Sequence, residues 1–165
     1  MIHILPYLEH TIRTTKSPQE IHDIMQSVTS SKRAWVSRPP GEFIGTIEQY
    51  DFKIMRIINY RNSFLPVIKG AIKKGEGAYV VALKMQLHPI TYIFLIIWFS
   101  LAGLSFLVGV LDLITSKPTD VTMFLATGGF IAWGQILSRC GFFFQAKKDI
   151  KRLEELLNAE TPAVF

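Results

Sequence analysis

Hydrophobic positions change period several times along the chain, and those changes divide it. From Leu8 to Thr15 the pattern alternates, with Leu8, His10, Ile12 and Thr14 on one side and Glu9, Thr11, Arg13 and Thr15 on the other, which predicts a first strand. Ser17-Pro18-Gln19-Glu20 then combines a serine cap, a proline at the first helical position and a glutamate placed to bond back to the cap, the signature of a helix start. Ile21, Ile24, Met25 and Val28 follow at helical spacing. They give this helix one apolar face that another element must cover.

Between Ser30 and Gly41 periodicity is lost in a basic stretch, Lys32-Arg33-Ala34-Trp35-Val36-Ser37-Arg38, closed by Pro39-Pro40. Two readings fit: a solvated connector, or a lipid-surface contact in which Trp35 sits at the membrane interface beside the cations. From Glu42 to His88 the period becomes two. Phe43, Gly45 and Ile47 form one side of a strand; Phe52, Ile54, Ile58 and Tyr60 one side of the next; a short strand lies around Val67 to Ile72; Tyr79, Val81, Leu83, Met85 and Leu87 form one side of the last. Turn chemistry separates them at Glu48 to Asp51, Arg61 to Ser63 and Lys73 to Gly77. Short connections predict an antiparallel meander.

After His88 charge disappears. Ile90 to Leu111 holds no charged residue, and a second run from Val121 meets its first charge only at Arg139. About 20 helical residues span the roughly 30 Å hydrocarbon layer, so the sequence predicts a transmembrane hairpin, 90–114 and 121–144, turning at Ser116 to Thr119. Buried helices of a soluble bundle fit poorly, since helices this long would leave an apolar side exposed. Lys147 to Asn158 then reads as an amphipathic helix with Ile150, Leu153, Leu156 and Leu157 as its apolar face and Lys151 and Glu155 as an i,i+4 pair. It either docks on the sheet or lies on the bilayer, and docking is preferred because the first helix leaves much of one sheet face uncovered.

The expected fold class is therefore α+β: a small antiparallel sheet with N-terminal and C-terminal amphipathic helices, interrupted by a transmembrane α-helical hairpin. Residues 1–89 form the domain, 90–144 the hairpin, and 145–165 a returning helix and tail. Basic residues flank the hairpin on its domain side, Lys73, Lys74 and Lys84 before it and Arg139, Lys147, Lys148, Lys151 and Arg152 after it, against Lys117 alone in the turn. The positive-inside rule then predicts a multi-pass inner-membrane protein with both termini cytosolic. Met1-Ile2-His3-Ile4-Leu5-Pro6 lacks the positive flank and long apolar run of a cleavable export signal.

Composition changes the picture little. The net charge of +5 finds its nearest partner in anionic lipid headgroups, so nucleic acid is not expected. The single cysteine, Cys140, excludes an intramolecular disulfide. His3, His10, His22 and His88 match no metal-ligand spacing, and no metal or cofactor is implied. No serine has elbow-type glycine flanking, and Gly75-Glu76-Gly77 lacks the strand-to-helix context of a phosphate loop. An enzyme is not expected.

Two features invite function. Arg56 shares the side of its strand with Phe52, Ile54, Ile58 and Tyr60, and a buried arginine needs a partner. Either it snorkels at the sheet edge or pairs with Glu42, Glu48 or Asp51, or Arg56, Tyr60 and Arg61 line an anion-binding concavity between sheet and helix. In the hairpin, Ser105 and Gly109, with Gly128, Gly129 and Gly134, allow close helix approach, either within one chain or in a homo-oligomer. Arg139, Lys147 and Lys148 are placed for the membrane interface.

Phe43-Ile44-Gly45, Phe52-Lys53-Ile54, Tyr60-Arg61-Asn62-Ser63-Phe64-Leu65-Pro66-Val67-Ile68-Lys69-Gly70 and Leu87-His88-Pro89 before an apolar helix resemble a pattern recurrent in small bacterial two-helix membrane proteins with no assigned activity. The resemblance covers roughly half the chain and implies bacterial origin and this architecture, with no catalytic motif to carry over. More distantly, the element order is similar to that of START-like helix-grip domains, here interrupted by the hairpin. The expected function is a membrane-anchored cytosolic domain that binds a partner, lipid or small anionic ligand. The alternative is an oligomeric, channel-like membrane effector gated by that domain.

Overall fold

Alternation along the domain builds one six-stranded sheet. A computed structural model of the chain describes residues 5–31, 41–75, 77–115 and 121–157. Its elements are β1 (Tyr7–Thr14), α1 (Pro18–Val28), β2 (Thr29–Ser31), β3 (Phe43–Ile47), β4 (Asp51–Arg56), β5 (Pro66–Lys74), β6 (Tyr79–Leu87), α2 (Pro89–Ile114) and α3 (Val121–Leu157). The strand order is β1-β6-β5-β4-β3-β2. Every pairing is antiparallel except β2 with β3. The fold class is thus α+β, a mostly antiparallel six-stranded sheet with three helices among the described residues.

The capping box closes as its residues predict: Ser17 Oγ accepts from Glu20 N at 3.3 Å and Glu20 accepts from Ser17 N at 2.7 Å. That start aims Ile21 and Met25 onto the sheet, where both are fully buried. Around them lie Ile12, Phe43, Ile54, Ile68, Val81, Leu83 and Met85 from five strands. All but Ile68, whose strand carries no assigned side, lie on a side that the period of two groups together.

Three expectations about the domain need correction. Ser30 and Ser31 lie in the short strand β2, parallel to β3, rather than in a loop; the signal was too short to carry a period. Trp35 and the rest of 32–40 lie outside the described residues. Ile58 and Tyr60 are not on β4, which ends at Arg56 and gives way to irregular chain up to Leu65. Alternation continued across that boundary by chance. Finally, β5 runs nine residues, Pro66–Lys74, longer than the expected Val67 to Ile72.

The helical region departs from expectation in its continuity first. The second apolar run and the amphipathic helix after it are one helix of 37 residues, about 55 Å long. No proline interrupts it, and neither Gly nor Asn marks a stop near Phe144 to Lys147. α2 and α3 pack antiparallel: Phe106 stacks on Phe124 with ring centroids 4.7 Å apart, and Trp98 on Phe130 at 4.5 Å. Among the described residues α2 alone is long and apolar enough to cross a membrane, so one of the two expected spans has that character and the second, within α3, does not. The turn at Ser116 to Thr119 lies outside the described residues.

The far end of α3 packs across the sheet. Phe142, Ala146, Leu153 and Leu157 join the core, His10 Nε2 meets Glu154 Oε1 at 2.9 Å, and Thr14 Oγ1 donates to the Leu157 carbonyl at 3.0 Å. The last contact satisfies one of the carbonyls that a helix end leaves without a partner. The expected apolar face docks as read, with Leu153 and Leu157 fully buried and Ile150 and Leu156 partly so, but Asp149 is fully buried beside it. Glu155 takes Arg152 at 3.2 Å, not Lys151.

Candidate functional site

Charge is concentrated where α3 crosses the β3–β4 end of the sheet. Residue 56 is the last of β4 and points to the helix side, as Phe52 and Ile54 do. Its guanidinium lies 5.7 Å from the Phe43 ring centroid, within cation–π range. Arg56 Nη1 donates to Asp149 Oδ1 at 3.3 Å, and Nη2 is 3.8 Å from Glu42 Oε2. Glu42, named as a partner from sequence, is therefore one of two carboxylates on Arg56. It also receives Arg152 in a fork, at 2.9 Å from Nε and 2.6 Å from Nη2. Such two-point pairs fix geometry as well as charge.

Asp149 stands at the centre. Gln145 Nε2, one turn earlier on α3, donates to the same Oδ1 at 2.8 Å, and Tyr60 Oη donates to Gln145 Oε1 at 2.8 Å. Burial pushes the Asp149 carboxyl up to about 6, against the pull of Gln145 and Arg56. Asp149 Oδ2 is buried without a hydrogen-bond partner. Glu42 moves the other way, held below the usual carboxylate range by the hydrogen bonds from Arg152. The result is a lattice of ion pairs joining sheet to helix.

An open concavity of about 370 Å³ lies beside this lattice, lined by Arg56, Tyr60, Gln145, Lys148, Lys151 and Arg152 among others. Arg56 and Tyr60 both line it. Arg61 does not: it lines a second groove, of about 600 Å³, with Asn62, Ser63, Phe64, Ile90 and Phe94. The three expected ligand-binding residues thus divide between two places, because the chain leaves strand geometry after Arg56 and side-chain alternation ends with it.

That second groove lies where both long helices leave the domain. Thr91 Oγ1 of α2 donates to the Ser63 carbonyl at 2.9 Å. Asn62 Nδ2 donates to the Gly141 carbonyl of α3 at 3.4 Å, and a Cβ on Gly141 would lie 3.0 Å from the Phe64 ring. The 61–64 segment is wedged between α2 and α3 and fixed to both.

The remaining sequence candidates are dispersed. Arg139 is exposed and donates to Gln135 Oε1 at 3.3 Å, Lys147 is exposed, and the Lys148 ammonium lies 4.2 Å from the Phe144 ring centroid. In the helix pair, a Cβ on Gly109 would meet Phe124 at 3.1 Å and one on Gly128 would meet Phe106 at 3.3 Å, whereas Gly129 faces open space. Ser105 is half-buried. Gly109 and Gly128 are thus occupied within the chain.

Sequence reading missed Gln145 and Asp149. Their signal was available: they stand four apart, in register with Phe142, Ala146 and Leu153 on one helical face. Among the described residues no group of His, Cys, Asp and Glu is arranged to hold a metal ion.

No protein-family model matches the chain, and no curated protein does. Among solved structures it is similar to the solution structure of the Aha1 dimer from Colwellia psychrerythraea, at 15% identity and a TM-score of 0.35, with 59% of this chain and 93% of that one covered.

Proposed function

We propose that the chain is a membrane-anchored interaction protein. In this reading α2 and the apolar part of α3 enter the inner membrane as a hairpin from the cytosolic side. The sheet, α1 and the last turns of α3 form a non-catalytic domain held against the bilayer. One observation carries it: the paired helices expose many large apolar side chains, with Ile90 74%, Leu101 66%, Leu104 60%, Ile114 71%, Leu125 65% and Trp133 61% accessible. Exposed apolar area of that extent is stable in lipid and not in water. The continuity of α3 supports a further step, since a domain packed on the same helix that enters the membrane is rigidly oriented to it. Partner binding at the domain would then be felt in the hairpin.

The test uses the lone cysteine. In a Cys140→Ser background, Ser116→Cys and Ala163→Cys are probed in intact spheroplasts with a membrane-impermeant maleimide, and the chain is extracted with alkaline carbonate. The expected outcome is retention in the membrane pellet, labelling at 116 without permeabilisation and labelling at 163 only after it. Release by carbonate, or equal labelling of both positions, overturns the reading.

A further inference from the structure

Arg61 is the side chain that the ion-pair lattice leaves out, and its surroundings suit an amphipathic ligand. The groove it lines has two unlike walls. One is polar chain, Asn62 and Ser63, held by the hydrogen bonds to α2 and α3. The other is the first turns of α2, where Ile90 is 74% and Phe94 53% exposed. Among the lining residues Arg61 is the one that carries charge, and no acid accompanies it.

The level of the groove along the helices matters as much. Thr91 and Gly141 are tied to the same segment, Thr91 through Ser63 and Gly141 through Asn62. Beyond those ties α2 runs over 92–114 and α3 over 121–140, about 35 and 30 Å at 1.5 Å per residue, enough for the roughly 30 Å of a hydrocarbon layer. If the helices enter the bilayer, the 61–64 segment stands at the boundary between headgroup and chain. Ile90 and Phe94 then face the chains, while Arg61 lies at phosphate depth, where arginine is the residue best shaped to meet a phosphate.

We infer that the groove between the 61–64 segment and the start of α2 is a specific site for one anionic phospholipid, with its phosphate on Arg61 and its proximal acyl chain along Ile90 and Phe94. The site rests on the membrane reading above and gives it a ligand class. At about 600 Å³ the groove is of ligand-pocket size and takes a headgroup with the upper part of one chain.

The full chain, extracted in a non-ionic detergent and stripped of lipid, is titrated separately with phosphatidylglycerol, phosphatidylcholine and inorganic phosphate, and adducts are followed by native mass spectrometry. One phosphatidylglycerol per chain is expected, held about tenfold more tightly than phosphatidylcholine. Arg61→Gln, a change at an exposed position, should erase that preference. Ile90→Gln should weaken both lipids and keep it. Equal retention of phosphatidylglycerol by Arg61→Gln and the wild type overturns the site, and tight phosphate binding without lipid overturns the lipid assignment. Carbonate extraction of the same proteins separates the two claims: a chain released from the membrane defeats the membrane reading, whereas one that stays in the pellet but retains no lipid defeats only the site.

Discussion

Arg56 and Asp149 stand 93 positions apart in sequence and 3.3 Å apart in space, and between them they join the last residue of β4 to the middle of the domain-side half of α3. Asp149 has no exposed surface, and its second oxygen has no partner. A buried carboxylate satisfied on one side is costly, and it fixes one helix orientation among several that apolar packing alone would accept. Through α3 that orientation extends into the paired apolar helices.

The same carboxyl makes domain stability depend on pH. The folded chain holds a proton on Asp149 up to about 6, whereas an unfolded aspartate loses it near 4. This contribution is full below the unfolded value and is lost as pH rises through the folded one. Glu42 opposes it only at lower pH, since its depressed carboxyl contributes stability that is lost as pH falls below the usual glutamate range. The positive charges of Arg56 and Lys148 both pull the Asp149 carboxyl down, against its burial. The expected result is a stability that falls between pH 4 and pH 7 by about 2–3 kcal/mol, read as a falling thermal midpoint. Asp149→Asn should flatten that slope; a wild-type profile already flat over the interval would refute the assignment.

Gly70 is predicted to be intolerant of the smallest side chain. It pairs with Phe52 across β4 and β5, and the Phe52 ring lies over its α-carbon, where a Cβ would collide with three ring atoms. Phe52 is itself buried, so the ring has no free rotamer to retreat into. Gly70→Ala should cost about 1–3 kcal/mol in chemical denaturation. Adding Phe52→Leu should recover part of the loss, which a simple propensity effect of alanine would not do.

The outer face of the sheet carries an electrostatic defect that a charge reversal should repair. Lys53, Lys69 and Lys84 occupy one row, with Lys53 opposite Lys69 and Lys69 opposite Lys84. Only Lys84 at the end of the row meets an acid, with Glu9 Oε1 3.2 Å from its ammonium. Like charges directly opposed across strands are destabilising. Lys69→Glu should therefore raise the thermal midpoint by roughly 1–3 °C at low salt, with most of the gain gone near 1 M salt. A gain that persists at high salt would point to packing instead.

What the sequence made legible follows how locally each feature is encoded. The capping box and the core faces of β1, β3 and β6 follow from residues within a few positions of one another, and they were readable. The lysine row was half readable: alternation puts Lys53 and Lys84 on solvent sides, but only strand register sets them in line with Lys69. The lattice around Asp149 was half hidden: Gln145 and Asp149 share a helical face with Phe142 and Leu153, but no local period links that face to Arg56 of β4 or to Glu42 before β3. Arg61 was separated from Arg56 for the same reason. Nothing local says where β4 stops, and two residues of apparent alternation beyond Arg56 lead into a groove on another side of the domain.

Helix packing distinguishes the glycines of the paired helices from one another. Gly109 lies against Phe124 and Gly128 against Phe106, at 3.1 and 3.3 Å from where a Cβ would stand, while nothing lies within 4 Å of Gly129. Leucine at Gly109 or Gly128 must push a ring out of its stack and separate the helices, whereas leucine at Gly129 enters open space. In detergent, Gly109→Leu and Gly128→Leu should each lower the melting temperature by several degrees, with Gly129→Leu unchanged in melting as a monomer. Crosslinking in native membranes adds a second readout. If copies of the chain associate through the open small-residue face, Gly129→Leu should abolish the crosslinked ladder without altering melting. A ladder that survives Gly129→Leu would remove that face from any assembly.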